Sequence, residues 1–351
     1  MMRIGIITPA PPRSRYGNRV TALRWARLLK SLGHRVTVTQ DYEGGAYDLL
    51  IALHARRSYP SISRFRREHA KTPIIVALTG TDLYRDLQKS RRAKLSLEIA
   101  TRIVVLQPMG IDELPPHLRD KARVIYQSVT TLPRATNHRQ GLKPEAAAPA
   151  SSFQSSHQTF DVCVIGHLRP VKDPFRAALA ARSLPPSSMI RIVHVGGAMS
   201  DEMAARARAE LKVNPRYLWL GEQSPQRTRR ILAQSRLCVL SSRLEGGANV
   251  LSEAIVAAVP VIASRIPGTV GILGANYPGY FTVGHTRELK RLLMRAEGDP
   301  AFLSLLKSQG EGLIELFDPT REQRAWADLL EEIDATVKKL AKLNDHEPPE
   351  W

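Results

Sequence analysis

Short, nearly unbroken apolar runs alternate with helix-like stretches along this chain, and that alternation restricts the fold more than any other feature. In the first half the runs are 4–8, 36–39, 49–53, 74–78, 103–106 and 124–126. A loop rich in Pro and Arg, 9–18, leads into a helix expected to end near Gly33, with Val20, Leu23, Trp25, Leu28, Leu29 and Leu32 as its apolar side. Strands this continuously apolar, separated by helices, belong to a parallel sheet covered on both faces. The pattern breaks at 133–159, where Pro, Ala, Ser and Gln dominate, and this reads as a linker. A second series follows, with strands expected at 160–165, 190–195, 216–220, 236–241, 260–263 and 279–283, and helices between them, among them 174–183 and 199–212. The 351 residues suit two domains. The expected division is 1–132, a linker over 133–159, a second domain over 160–317, and C-terminal helices over 318–351 that pack back toward the first domain. The fold class is α/β with two Rossmann-like parallel sheets. Open sheets of this kind bind ligands at the carboxyl ends of their strands, so two of them facing each other put the ligand in the cleft.

Lys and Arg total 51 against 33 acids, a formal charge of +18. Such a charge favours anionic partners. Most of it reads as solvated surface, since the basic residues are scattered and form no tail. Cys163 and Cys238 each lie in an apolar run and read as buried thiols, not as a disulfide or metal ligands. No C-x-x-C is present. The chain opens directly on a strand without signal-peptide features, and no apolar stretch reaches membrane-spanning length. The expectation is a cytoplasmic protein with no stable membrane insertion and no bound metal.

Candidate chemistry concentrates in 241–264, SSRLEGGANVLSEAIVAAVPVIAS. Here the end of a strand runs into a Gly-Gly turn, an apolar helix follows, and Pro260 stops it. Glu245 falls in the loop and Glu253 on the helix. The first amides of a helix lack intrahelical partners and carry partial positive charge, which suits a phosphate. Gly246 and Gly247 let the backbone come close to an anion. Two carboxylates beside such a site repel phosphates, but they can accept hydrogen bonds from hydroxyls. A ligand with both a diphosphate and diols, as a nucleotide-sugar has, satisfies all of these groups. The plainer alternative is that acids near a helix start merely offset its dipole.

Other loops at strand ends offer further candidates. His54 closes the third apolar run and reads as a contact or polariser, or else as an ordinary loop residue. Thr79, Gly80 and Thr81 supply hydroxyl and amide donors. Asp82 reads as a helix cap. Arg13, Arg15, Gly17, Asn18 and Arg19 surround an expected helix start, with Gly17 and Asn18 as a tight turn, and could hold an anion; the alternative for each arginine is solvation. Trp25 and Trp219 read as core.

These motifs resemble the retaining glycosyltransferases of GT-B fold, the class that includes glycogen-synthase-like and sucrose-phosphate-synthase-like enzymes. Glu245 and Glu253 match their E-x7-E motif, and Glu253 to Ser264 match its continuation. Gly166, Leu168 and Lys172 match G-x-L-x-x-x-K, and Leu220 to Glu222 match the base-binding loop. The resemblance implies that Lys172 neutralises the donor diphosphate, that Glu253 holds the ribose and that Glu245 contacts the donor sugar. It implies that the backbone of Gly246, Gly247, Ala248, Asn249 and Val250 cradles phosphate, with Gly166, His167 and Glu222 completing the donor site. His167 stands where the family has arginine. Arg169, two residues on, either supplies the guanidinium or points elsewhere. No metal or other cofactor is required; the sugar nucleotide is a substrate.

A narrower likeness, in RIGIITPAPPRSRYGNRVTALRWARLL, ALTGTDLYRDL and SSRLEGGANVLSEAIVA, is to the selenosugar synthases of selenoneine biosynthesis. It implies transfer from a UDP-sugar, notably UDP-N-acetylglucosamine, to selenophosphate, a small anionic acceptor that needs no strong base. An ordinary transferase with a sugar or lipid-linked acceptor shares the same donor motifs. A lipid acceptor favours a basic helix with an exposed apolar side, whereas the apolar side of the 19–32 helix reads as core. A nucleic-acid-binding protein is disfavoured, because no aromatic-basic motif or known module is present.

Overall fold

The computed structural model describes residues 1–130 and 159–344. Most of the expected linker, 133–158, and the last residues, 345–351, lie outside the described residues. The chain divides into two compact units. Unit 1 comprises Met1–Ser128, Leu244–Asn249 and the chain from Leu316; unit 2 comprises the described part of Val129–Arg243 together with Val250–Glu315.

Unit 1 is built on a six-stranded parallel sheet of β1 (Arg3–Ile7), β2 (Arg35–Thr39), β3 (Leu49–Leu53), β4 (Ile74–Ala77), β5 (Arg102–Val105) and β6 (Ala122–Val124), in the order β2-β1-β3-β4-β5-β6. Unit 2 has β7 (Phe160–Ile165), β8 (Ile190–Val195), β9 (Tyr217–Trp219), β10 (Leu237–Leu240), β11 (Val261–Ser264) and β12 (Tyr280–Phe281), also parallel, in the order β12-β11-β10-β7-β8-β9. The unbroken apolar runs are explained by burial on both faces: every residue of β3 and β4 is buried. Each sheet reverses its strand order once, between β1 and β3 in unit 1 and between β7 and β10 in unit 2. Those reversals open crevices at the carboxyl edge, where ligands bind in doubly wound sheets.

The first helix, α1 (Gly17–Ser31), packs differently from the expected face. Thr21, Ala22, Trp25, Ala26 and Leu29 are buried, while Val20 and Leu23 are each 43% exposed. Ala22 and Ala26 present small side chains to the sheet, so the helix lies close to it and turns the bulkier Val20 and Leu23 to solvent. Gly17 and Asn18 form the first turn of α1, not a tight turn before it; the left-handed backbone of the preceding loop is at Arg13, φ 64°.

The long helix Pro319–Asn344 packs on α1 within unit 1. Trp326, Leu329, Leu330 and Ile333 are buried in one cluster with Trp25, whereas Val337 is 38% exposed. The Trp25 and Trp326 rings meet edge to face with centroids 4.9 Å apart. Each side chain of this size adds roughly 2–3 kcal/mol by leaving water. At its first turn Glu322, nearly fully buried, accepts hydrogen bonds from the Trp25 indole at 2.8 Å and from the Ser128 amide at 2.8 Å. Arg24 lies 3.5 Å from the same carboxylate. A buried charge is tolerable only with such partners. No helix among the described residues is long and apolar enough to cross a membrane.

Candidate active site

In unit 2 the candidate residues gather at the β7/β10 crevice. After β7 the Gly166 amide still bonds the Val195 carbonyl at 2.8 Å, and Leu168 then bonds the Gly197 carbonyl at 2.9 Å. This draws 166–168 against the 196–199 turn. A Cβ on Gly196 would lie 2.0 Å from the Gly166 oxygen, so only glycine fits there. The Trp219 indole donates to the Gly196 carbonyl at 2.8 Å and its ring is half-exposed; it braces this turn and is not a core residue. At Gly197, a Cβ would come 3.3 Å from Glu222 Oε2 and 3.6 Å from His167 Nδ1, so both side chains converge on that turn.

His194 supports the same loop from below. The ring is fully buried, and burial pushes its pKa down to about 4. It is therefore neutral at ordinary pH. Nε2 lies 3.1 Å from the Gly166 carbonyl and Nδ1 3.1 Å from the Tyr217 hydroxyl. A carbonyl can only accept, so Nε2 carries the proton and Nδ1 accepts from Tyr217. Sequence reasoning missed His194. The available signal was a histidine inside the apolar strand IRIVHV.

Lys172 ends a short 3-10 turn, Pro170–Lys172, after which Asp173 takes a left-handed conformation, φ 43°. Arg176 grips the Asp173 carboxylate at 2.9 Å. Ser241, just past β10, donates to the carbonyls of Lys172 at 3.2 Å and Asp173 at 2.9 Å. The backbone bearing the lysine is thereby tied to the far side of the crevice. Gly166, Lys172, His194, Ser241 and Ser242 line a cavity of about 10 Å³ there. Arg169 is exposed and makes no ion pair among the described residues. Glu253 is half-buried in the second turn of the helix Asn249–Val256, which starts with the last residue of the Gly-Gly loop. Cys163 and Cys238 are buried and free.

The Gly-Gly loop itself, Leu244–Asn249, packs within unit 1. A Cβ on Gly246 would lie 2.5 Å from the Thr79 carbonyl, and one on Gly247 would lie 2.5 Å from Leu106 Cβ. Ala248 is forced to φ 25°, and Glu245 is buried. The loop thus rests on the Thr79–Gly80 turn with no room for side chains.

Beside it, Asp82 is not a helix cap. It is wholly buried and accepts the amides of Ala55, Thr79 and Gly80 at 3.0, 3.0 and 2.9 Å, joining the loops after β3 and β4. His54, directly after β3, has a left-handed backbone, φ 72°, and is buried. Its Nε2 is 3.3 Å from the Thr81 hydroxyl and 3.9 Å from Asp86. Burial lowers its pKa; Asp82 pulls the other way. Arg13 and Arg15 are exposed, and Arg19 is half-buried. The Thr8 hydroxyl and Arg19 Nε are buried without a hydrogen-bond partner among the described residues.

Residues 150–311 match the family described as Glycosyl transferases group 1. A curated relative, Glycosyltransferase 1 domain-containing protein 1 of Xenopus tropicalis, is 24% identical over 275 residues, covering 74% of this chain and 78% of the relative. Sucrose-phosphate synthase from Thermosynechococcus elongatus superposes with a TM-score of 0.73 at 15% identity, covering 96% of this chain and all (100%) of that one. Anabaena HepE, crystallised with UDP and glucose, superposes with a TM-score of 0.71 at 15% identity, covering 95% of this chain and 100% of HepE. The solved structures give the chain the GT-B fold, and its second half matches a glycosyltransferase family model.

Proposed function

We propose that the chain transfers a sugar from a UDP-sugar, with the donor held at the β7/β10 crevice and the helix that follows the Gly-Gly loop. The observation that carries this is the tethering of Lys172 across the crevice by Ser241, beside a glycine turn braced by His194 and Trp219. A cation carried on a fixed stretch of backbone stabilises charge that appears only as the diphosphate departs, which lowers the barrier with little reorganisation. Lys172 takes that role, with Arg169 near the same loop and the backbone of 246–250 as phosphate cradle. Glu253 accepts from the ribose hydroxyls, Glu245 from the donor sugar, and Gly166, His167 and Glu222 flank the nucleoside. The bond from C1 to the β-phosphate oxygen breaks with its electron pair leaving on UDP. The acceptor's nucleophilic atom bonds C1, and a hydroxyl acceptor releases its proton to the diphosphate.

The first reading takes a sugar or lipid-linked hydroxyl as acceptor; solved structures of the same fold that contain UDP with glucose, or UDP-glucose, support its UDP-sugar donor. A second reading, selenophosphate with UDP-N-acetylglucosamine as donor, draws support from the sequence likeness of 3–29, 77–87 and 241–257 to selenosugar synthases. There selenium bonds C1 and water then removes the phosphate. The unpartnered Arg19 Nε and Thr8 hydroxyl near the 9–18 loop suit a small oxyanion; the expected amide donors of Thr79 and Gly80 are instead given to Asp82, which leaves that turn only its threonine hydroxyls to offer. Mass spectrometry of products from purified protein, UDP-glucose or UDP-N-acetylglucosamine, and selenophosphate, simple alcohols or lipid acceptors decides between them. Release of UDP with a glycosylated alcohol or lipid supports the first reading, and a selenosugar the second. No binding of UDP by calorimetry rejects both.

A further inference from the structure

Three arginines outside every candidate set line one cleft of unit 1. Arg56 and Arg57 follow β3, and Arg92 opens the helix Arg91–Ile99. With Pro60 and Ser90 they enclose about 300 Å³. All three lie in the segments that follow the carboxyl ends of β3 and β4, neighbours in the sheet. We infer that this cleft binds the tetrahedral oxyanion of a phosphate-bearing acceptor, an inference that rests on the glycosyl-transfer reading above.

Charge bookkeeping leads to this ligand class. Only one carboxylate, Asp86, reaches the cluster among the described residues. It bonds Arg56 Nε at 2.8 Å and is shared with Arg85 at 3.2 Å. Arg57 and Arg92 are exposed and make no ion pair among the described residues. Guanidinium groups crowded at one cleft repel each other, and an anion relieves the repulsion. Their planar forks match the oxygens of phosphate two at a time. Ser90 adds a directed donor: its oxygen already accepts the Ala93 amide at 3.3 Å, so its own hydrogen remains to be given. The volume accommodates a phosphate and a small body attached to it. Asp86 also links this cleft to His54, at 3.9 Å, and so to the Thr79–Asp82 turn on which the Gly-Gly loop rests. An acceptor anchored by its phosphate here would present its remaining atoms toward that turn.

The test is calorimetry on the full chain with four probes: UDP, inorganic phosphate, glucose 6-phosphate and glucose. A parallel arm uses phosphatidylcholine vesicles with and without phosphatidic acid. The double variant Arg57→Ala/Arg92→Ala alters two exposed side chains and leaves the Arg56–Asp86 pair in place; Arg57→Lys/Arg92→Lys keeps charge but removes the forks. The inference expects inorganic phosphate and glucose 6-phosphate to bind at these arginines and glucose not to. It expects the alanine variant to lose at least tenfold in affinity for them, the lysine variant to fall between, and UDP affinity to stay at the wild-type value. Arginine-dependent binding of glucose 6-phosphate identifies a soluble acceptor. The same dependence confined to phosphatidic acid vesicles identifies a lipid headgroup. Equal affinity for glucose and glucose 6-phosphate, or undiminished phosphate binding by the alanine variant, overturns the inference. Arginine-dependent phosphate binding in a protein that takes up no UDP leaves the phosphate site standing and rejects the glycosyl-transfer reading instead.

Discussion

The Glu322 carboxylate receives the indole hydrogen of Trp25 at 2.8 Å across 297 positions of sequence. Its other oxygen takes the Ser128 amide, so one buried side chain of the C-terminal segment ties together two distant points of Met1–Ser128. Glu322→Ala strands the Trp25 donor, the Ser128 amide and the Arg24 charge at once. The expected loss is about 3 kcal/mol of stability, read as a lower urea midpoint with an unchanged slope. Glu322→Gln should recover part of it by keeping one acceptor oxygen.

Gly246→Ala and Gly247→Ala each place a methyl carbon 2.5 Å from an atom of the Thr79 or Leu106 residues. Overpacking of this kind costs about 1–3 kcal/mol, and relief requires the loop to lift. Both variants should remain folded by circular dichroism while UDP affinity falls at least tenfold by calorimetry. Wild-type affinity in either would remove the loop from the donor site.

Lys172→Ala should lower kcat by roughly 100-fold or more, the scale seen when one preorganised donor to a developing charge is removed. The backbone of the turn is held by Ser241 and Asp173 independently of the lysine side chain, so thermal unfolding should barely change. Turnover close to wild type would count against the proposed role.

His194 gives stability a defined pH dependence. Its folded pKa is depressed to about 4 from an ordinary value of 6.5. The unfolded chain therefore takes up a proton that the folded one refuses. The contribution is complete above about pH 6.5 and declines as pH falls toward 4, by about 3 kcal/mol in all. Unfolding free energies at pH 7 and pH 4.5 should differ less in His194→Gln than in the parent chain.

The strands were legible because burial on both faces leaves an unbroken apolar run, and observed and expected spans differ by at most two residues at an end. The face of α1 was not. Periodicity ranks Val20 and Leu23 above Ala22 and Ala26, but close approach to the sheet selects small residues. Asp82 looked like a cap because its local sequence permits one; its actual partners include Ala55, 27 positions away, which no local pattern reveals. Trp219 and His194 brace a glycine turn through hydrogen bonds formed only once β8 and β9 pair. Lys172, Glu245 and Glu253 stand out by motif spacing alone, and their roles belong to the proposed donor site. Arg56, Arg57 and Arg92 were missed because their cluster depends on two helix starts lying side by side.

The six residues Leu244–Asn249 group with unit 1 although the chain on either side of them groups with unit 2. Consequently neither half is a contiguous piece of polypeptide, and the chain cannot be cut into two self-sufficient fragments at any single peptide bond. A shortened version spanning 159–315 would keep both motif glutamates and Lys172, yet its glycine hexapeptide would hang without the floor of Thr79, Gly80 and Leu106 that gives it shape. Attempts to graft or express the second unit by itself should take that missing floor along.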